Sequence, residues 1–396
     1  MIKVVELFSG VGSQRMALDR LDIDFEVVGI SEIDKYALQS YEAIHGDCPN
    51  LGDITKINPE DVPEHDLLTY SFPCQDISIA GKMQGLKKGG DTRSGLLWEV
   101  SKIIKQHRPK YLLLENVKNL VGKQFKPDFD KWLQWLDKQG YVNYYDVLNA
   151  KDYGIPQNRE RVFVVSIRKD VNAKRTPYEI GFFDNITYNF PKPIELKLKL
   201  KDMLEEDVDE KYYINQEKIK NFIKTSKNKN KIGELNFYNF NQEDTVWNIK
   251  NIAPTITASG ANSKIKILIK DKIRILTPLE CWRLMGFGDR DFKKAQDSGL
   301  SDTQLYKQAG NSIVVDVLVK IFKELFKEVN NVGNWGISEN ASEKEKIKSE
   351  MADYLNGLNS TGEIDYRTYC ELFDYSMELF EKIYILGKQE VNNENN

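Results

Sequence analysis

A short apolar run, Thr69-Tyr70-Ser71-Phe72, stops at Pro73 and hands the chain to a cysteine, Cys74. Proline cannot donate to a sheet ladder, so it closes a central strand and leaves the cysteine in the loop behind it. Open α/β sheets hold their ligands at that end of a strand, and a thiol there is a candidate nucleophile. The plainer alternative is a small buried hydrophobe, and the neighbouring segments decide between the two.

Other apolar runs end in the same way. Residues 2–7 read as a strand and Phe8-Ser9-Gly10-Val11-Gly12-Ser13 as a glycine-rich turn into a helix with Met16, Ala17 and Leu21 apolar. Such a turn admits a nucleotide-like ligand, but Gly10-x-Gly12-x-x-Arg15 lacks the third glycine of the dinucleotide fingerprint, which argues against NAD. The strand Glu26 to Ile30 ends at Ser31-Glu32. Glu32 is placed either to accept from ribose hydroxyls or to complement the dipole of a helix beginning near Asp34. Asp53 reads as an acceptor for an amino group or as a turn residue.

After Cys74, the polar stretch from Gln75 to Gly95 carries Gly81, Gly85, Gly89 and Gly90 and suits a mobile lid. Helical spacing resumes at Leu97, Val100, Ile103 and Ile104, and the strand Lys110 to Leu114 delivers Glu115-Asn116-Val117. Glu115 suits acid/base work, or it is an ordinary strand-end residue bonded to a backbone amide. A helix with Trp132, Leu133 and Leu136 and a strand at 144–148 follow, then Gln157-Asn158-Arg159-Glu160-Arg161 runs into Val162 to Ser166. Arg159 and Arg161 alternate, so they share one side of the strand, where a guanidinium serves a planar ligand or a structural ion pair.

With 396 residues the chain has room for two domains or for one with an insertion. No secretion signal or membrane-spanning run is expected. Cys48, Cys74, Cys281 and Cys370 stand far apart and read as free thiols, with Cys281 packed. His45, His65 and His107 read as surface or capping residues, and no metal is expected. The net charge of −4 counts against nucleic acid, yet Lys224, Lys227, Lys229 and Lys231 form a basic run near an acidic one, Asp202 to Glu210. From about residue 185 the texture turns Lys-, Asn- and aromatic-rich without α/β alternation, as in an inserted module. Helix returns after Thr277-Pro278, and two amphipathic patterns after a linker at 330–334 read as an α-hairpin.

In order, Phe8-Ser9-Gly10-Val11-Gly12, Glu32, Asp53, Pro73-Cys74-Gln75, Glu115-Asn116-Val117, Gln157-x-Arg159-x-Arg161, Leu276 to Phe287 and Gln308-x-Gly310-Asn311-Ser312 make a series. It resembles the DNA (cytosine-5)-methyltransferase family of bacterial and phage type over roughly residues 1–185 and 271–328. The resemblance implies a Rossmann-like α/β sheet of the S-adenosylmethionine-dependent methyltransferases. Residues 1–185 and 271–328 would form the catalytic domain, 186–270 an inserted target-recognition domain, and 329–396 a helical hairpin with a disordered tail.

It further implies S-adenosylmethionine as cofactor and S-adenosylhomocysteine as product. The cofactor residues would be Phe8, Gly10, Gly12, Glu32 on the ribose, Ile33 against the adenine, Asp53 on its amino group, Ile54, Pro73, Leu96, Asn311 and Ile313. Cys74 would attack C6 of a flipped cytosine, Glu115 would bond N3 and Arg161 would hold O2, with Arg159 in the same catalytic group. Gln75, Ser78, Arg93 and Thr255 are expected on DNA, Thr255 at the phosphate of the flipped nucleotide. Glu6 stands where the family often has Asp, and Ser13 where it often has a second glycine.

Double-stranded DNA is the expected partner, with a restriction endonuclease of the same system as an open second one, and a cytoplasmic monomer the expected form. The alternatives are a tRNA cytosine-5 methyltransferase, whose Cys-Phe-Thr signature is absent, and a DNA-binding homologue without catalysis, against which Cys74, Glu115 and Arg161 speak.

Overall fold

A computed structural model describes residues 1–21, 23–73, 96–173, 188–224, 228–238, 241–258 and 264–327. Cys74, the expected lid at 75–95, Cys370 and the expected hairpin at 329–396 lie outside the described residues. Met1–Leu325 form one unit.

The apolar runs pair into a six-stranded sheet: β1 (Ile2–Leu7), β2 (Phe25–Ser31), β3 (Leu67–Tyr70), β4 (Tyr111–Val117), β5 (Tyr141–Asn149) and β6 (Glu160–Arg168), in the order β2-β1-β3-β4-β6-β5. Strands β1 to β4 are parallel, and β6 runs antiparallel to both β4 and β5. All four residues of β3 and the first six of β4 are buried, the pattern of strands covered on both faces. The covers include α1 (Ser13–Asp19), α2 (Lys35–His45), α3 (Leu97–His107) and α4 (Lys126–Lys138). One core cluster joins Tyr70, Val100, Leu112, Phe129, Trp132 and Val164 across sheet and helices.

From β1 the chain passes through α1 to β2 on one side, then returns to β3 on the other. That reversal is a topological switch point, and it opens a crevice outside the carboxyl ends of β1 and β3. Because β6 is reversed, Arg161 lies opposite Val117, so the entrance of β6 reaches the same rim as the exit of β4.

Past β6 come the single-turn helices α5 (Lys169–Ala173), α6 (Gln216–Ile219) and α7 (Asn241–Asp244). They accompany a small sheet of β7 (Ile223–Lys224), β8 (Lys231–Glu234), β9 (Thr245–Trp247), β10 (Lys266–Ile269) and β11 (Lys272–Ile275). The expected boundary at 270 falls in the turn of the antiparallel β10–β11 hairpin, so the small sheet runs on through Ile275. Arg274 of β11 makes a buried bidentate pair with Glu280, at 2.8 and 2.7 Å.

Glu280 belongs to α8 (Pro278–Arg283), which starts on a Thr277 capping box with proline in its first turn. Three helices complete the unit: α9 (Asp289–Asp297), α10 (Asp302–Asn311) and α11 (Val315–Leu325). Among the described residues no helix is long and apolar enough to cross a membrane.

The histidines differ from the surface placement expected of them. His65 is buried with Nδ1 2.7 Å from the Pro63 carbonyl, and burial pushes its pKa down to about 4. The side chains of His45 and His107 are only 2% and 4% exposed, because each ring reaches back to a backbone carbonyl, of Val11 and Pro59 respectively.

Candidate active site

The crevice at the switch point is a cavity of about 370 Å³. Its floor is the turn after β1. Phe8 takes the left-handed conformation at φ +57 and Gly10 at φ +58, so the chain folds back on itself while the Phe8 amide donates to the Ser31 carbonyl at 2.8 Å. Gly12, also left-handed at φ +81, stays out of the cavity wall. It caps α1, and a Cβ there would stand 2.4 Å from His45 Nε2. The Ser9 hydroxyl at this turn is buried without a hydrogen-bond partner among the described residues.

Glu32 lines the cavity and ties the glycine turn to the start of α2. One carboxylate oxygen accepts from the Gly10 amide at 2.9 Å, and the other from the Ile33 and Asp34 amides at 2.8 and 2.7 Å, ahead of α2. Ile33 leaves its side chain exposed at the rim. Asp53 caps the turn that starts at Ile54, accepting from the Thr55 amide and hydroxyl at 3.0 and 2.8 Å, and these bonds hold its carboxyl below the usual range. Ile54, Pro73, Leu96, Asn311 and Ile313 complete the expected cofactor set on the cavity wall.

At the opposite wall stand Glu115, Arg159 and Arg161. Arg161 Nε lies 3.2 Å from the Glu115 carboxylate. Burial drives the Glu115 carboxyl above its ordinary value, and the positive charges of Arg161 and Arg159 pull back against it without cancelling the shift.

Arg159 works differently. Buried at 3% exposure, it donates to the carbonyls of Ile256 at 2.7 Å, Gly310 at 3.0 Å and Ser312 at 2.8 Å. It thereby binds two chain segments that close the cavity. Those segments touch so closely that a Cβ on Gly310 would sit 2.3 Å from the backbone of Thr257 and Ala258.

Two further residues have placements that their motifs did not reveal. Asn116 donates from Nδ2 to the Phe72 carbonyl at 3.0 Å and so fastens the β3 exit to β4. Gln157, fully buried, donates to the Leu284 carbonyl at 2.8 Å and accepts from the Ile256 amide at 3.0 Å. Long-range contacts of this kind leave no local signature beyond a polar residue inside an apolar segment. Thr255 lies outside this cavity, on the wall of a second one, with its hydroxyl donating to the Asn158 carbonyl at 2.6 Å. Cys74, Gln75, Ser78 and Arg93 lie outside the described residues, although Pro73, to which Cys74 is bonded, lines the cavity.

A crevice at the switch point of this sheet, floored by a glycine turn and walled by a carboxyl with its guanidinium, defines a Rossmann-like α/β methyltransferase. The chain belongs to the family of C-5 cytosine-specific DNA methylases, whose model matches residues 2–327, and its activity is that of a DNA (cytosine-5-)-methyltransferase. It is 39% identical over 386 residues to the type II methyltransferase M2.ScrFI of Lactococcus lactis, covering 83% of this chain and 99% of that protein. To the orphan methyltransferase M.SPBetaI of Bacillus phage SPbeta it is 30% identical over 433 residues, covering 82% and 97%. The crystal structure of the S. pombe Dnmt2 methyltransferase superposes with a TM-score of 0.60 at 18% identity, covering 83% of this chain and all of that one, and attests the fold.

Proposed function

We propose that this chain methylates C5 of a cytosine flipped out of duplex DNA, with Cys74 as nucleophile, Glu115 as proton donor to the ring and Arg161 as its anchor. One observation carries the reading: the protonation-prone Glu115 carboxyl and the Arg161 guanidinium share a cavity with the glycine turn. S-adenosylmethionine, the family's methyl donor, supplies an electrophilic methyl group when bound. The orphaned Ser9 hydroxyl, the Glu32 carboxylate and the apolar Ile33 suit its polar and adenine parts, and the volume of about 370 Å³ is of ligand size.

The residues then divide the work. The Cys74 thiolate adds to C6, which turns C5 into a nucleophile. Glu115, whose carboxyl burial makes easier to protonate, donates a proton to N3 as electron density accumulates in the ring. Arg161 donates to O2 from the same side. Once C5 carries the methyl group, its proton passes to solvent water, the C5–C6 double bond re-forms as Cys74 leaves as thiolate, and N3 returns its proton to Glu115. Unstacking the base requires a few kcal/mol, as in methyltransferases generally. Arg159 is read as a positioning residue, because its donors already serve three backbone carbonyls.

The small sheet supports the reading of residues 186–270 as a target-recognition domain, extended here to Ile275. The type II relative supports a restriction-modification role, and the orphan relative fits a methylase that works without an endonuclease. A cytoplasmic monomer completes the proposal.

The test is a covalent adduct with a duplex carrying 5-fluorocytosine, which traps the enzyme after Cys74 has added. The adduct should form with the wild-type chain and vanish in Cys74→Ala. No adduct and no transfer of labelled methyl groups to genomic DNA would remove the assignment, and transfer to tRNA alone would replace it. Bisulfite sequencing of DNA from expressing cells identifies the target sequence.

A further inference from the structure

We propose that the β7–β8 end of the small sheet grips the phosphodiester backbone of the duplex beside the cytosine cleft, with Lys229 and Lys231 as phosphate ligands. This rests on the reading that the substrate is duplex DNA, and it answers how a chain of net charge −4 holds a polyanion. Residues 224–231 read Lys-Thr-Ser-Lys-Asn-Lys-Asn-Lys, with four lysines and no acid among eight.

The fold brings Asn230 and Lys231 of this run to the wall of the cavity that Thr255 lines. Lys231 pairs with Trp247 across β8 and β9, and a register shift between Lys231 and Gly233 lets its ammonium lie over the indole, 5.9 Å from the ring centre. Gly233 permits the shift because a Cβ there would stand 2.2 Å from the Ile223 carbonyl. The turn before it is held rigidly: the Lys229 carbonyl accepts from Asn248 Nδ2 at 3.0 Å and also from Asn251 Nδ2, and the Asn248 amide donates to the Asn230 carbonyl at 2.9 Å. Neither ammonium has a carboxylate partner among the described residues.

A cavity of about 390 Å³ opens here, lined by Asn158, Asn230, Lys231, Trp247 and Thr255 among others and by no carboxylate. The Trp247 indole N–H is buried without an acceptor among the described residues. Asn158 directly precedes Arg159, and the Gln157–Ala253 bridge ties the Thr255 segment to the entrance of β6. The two cavities therefore flank one stretch of chain. An ammonium and an indole N–H with no facing carboxylate match phosphate oxygens, which accept from both.

The experiment measures binding of the full chain to two duplexes of unrelated sequence across a salt series, for wild type and for Lys229→Gln/Lys231→Gln. A control pair, Lys105→Gln/Lys138→Gln, lies on α3 and α4. The slope of log K against log salt should fall by about 1 per lysine in the first double variant, equally on both duplexes, and should hold in the control. Binding of S-adenosylhomocysteine by calorimetry should match wild type throughout. An unchanged slope, or a loss confined to one duplex, overturns the proposal. A double variant that no longer binds S-adenosylhomocysteine is replaced by Lys231→Gln against Lys231→Arg, of which only the first should lower the slope. A wild-type chain that binds no duplex defeats the DNA reading itself, and a chain that methylates DNA with unaltered salt slopes defeats only this one.

Discussion

Replacing Arg159 by lysine keeps the charge but removes the planar fork. An ammonium is a single nitrogen at the end of a shorter reach, so it can at best take the place of Nη2, which serves Gly310 and Ser312, and the Ile256 carbonyl that Nη1 serves is left bare. A hydrogen bond from a charged donor contributes ~1.5–3 kcal/mol, and at 3% exposure water cannot take its place. The loss of at least one such bond should cost about 1.5–3 kcal/mol or more in the free energy of unfolding from urea titration. Arg161→Lys provides the contrast. Its side chain is 17% exposed and paired with one carboxylate, so stability should change by under about 1 kcal/mol while methyl transfer collapses. An Arg159→Lys variant within about 1 kcal/mol of wild type would show that the carbonyl bonds do not hold the two segments together, and the positioning role would be lost with them.

Gly310→Ala should destabilise by about 3 kcal/mol or more, since the added Cβ meets backbone rather than a side chain that can swing away; thermal unfolding reads this directly. Gly12→Ala must displace His45 from under the glycine turn and strain a φ of +81, so S-adenosylhomocysteine affinity measured by calorimetry should fall at least about tenfold. Glu115→Gln should abolish methylation and reverse the usual cost of losing a charge. The folded carboxyl titrates above its unfolded value, so its favourable contribution is complete below the unfolded pKa and is lost as pH rises through the folded one. Unfolding free energies of variant and wild type should therefore converge near pH 4 and part in the variant's favour toward pH 8; the opposite trend would contradict the raised pKa.

Much of the catalytic body could be read from where apolar runs stop. Phe8 to Gly12, Glu32, Pro73 and Glu115 all follow or end strands, and one-dimensional order suffices to find them. Alternation also put Arg159 and Arg161 on one side, and both line the cavity, yet it could not say which would have its donors taken by backbone carbonyls. That depends on Gly310 and Ile256, about 150 and 100 residues away in the chain, folding over the first and not the second. Asn116 and Gln157 were hidden for the same reason. The boundary at 270 was misplaced against the small sheet because Lys270-Asp271 has the composition of a linker while serving as a hairpin turn. The histidines, read as surface or capping residues, proved largely buried; for His45 and His107 a ring bonded to a distant carbonyl looks no different in sequence from a solvated one.

The reversed strand β6 has a consequence for how this rim can vary. A wholly parallel sheet exposes only strand exits to a bound molecule, whereas one inverted strand contributes an approach as well. Arg161 is locked by ladder partners on both flanks, opposite Val117 and Leu148. Arg159 precedes the ladder and is steered by loops. Lengthening the connection before Glu160 by one residue would thus displace the Arg159 guanidinium and leave that of Arg161 standing, so the two arginines can drift apart in evolution although they are separated by a single amino acid.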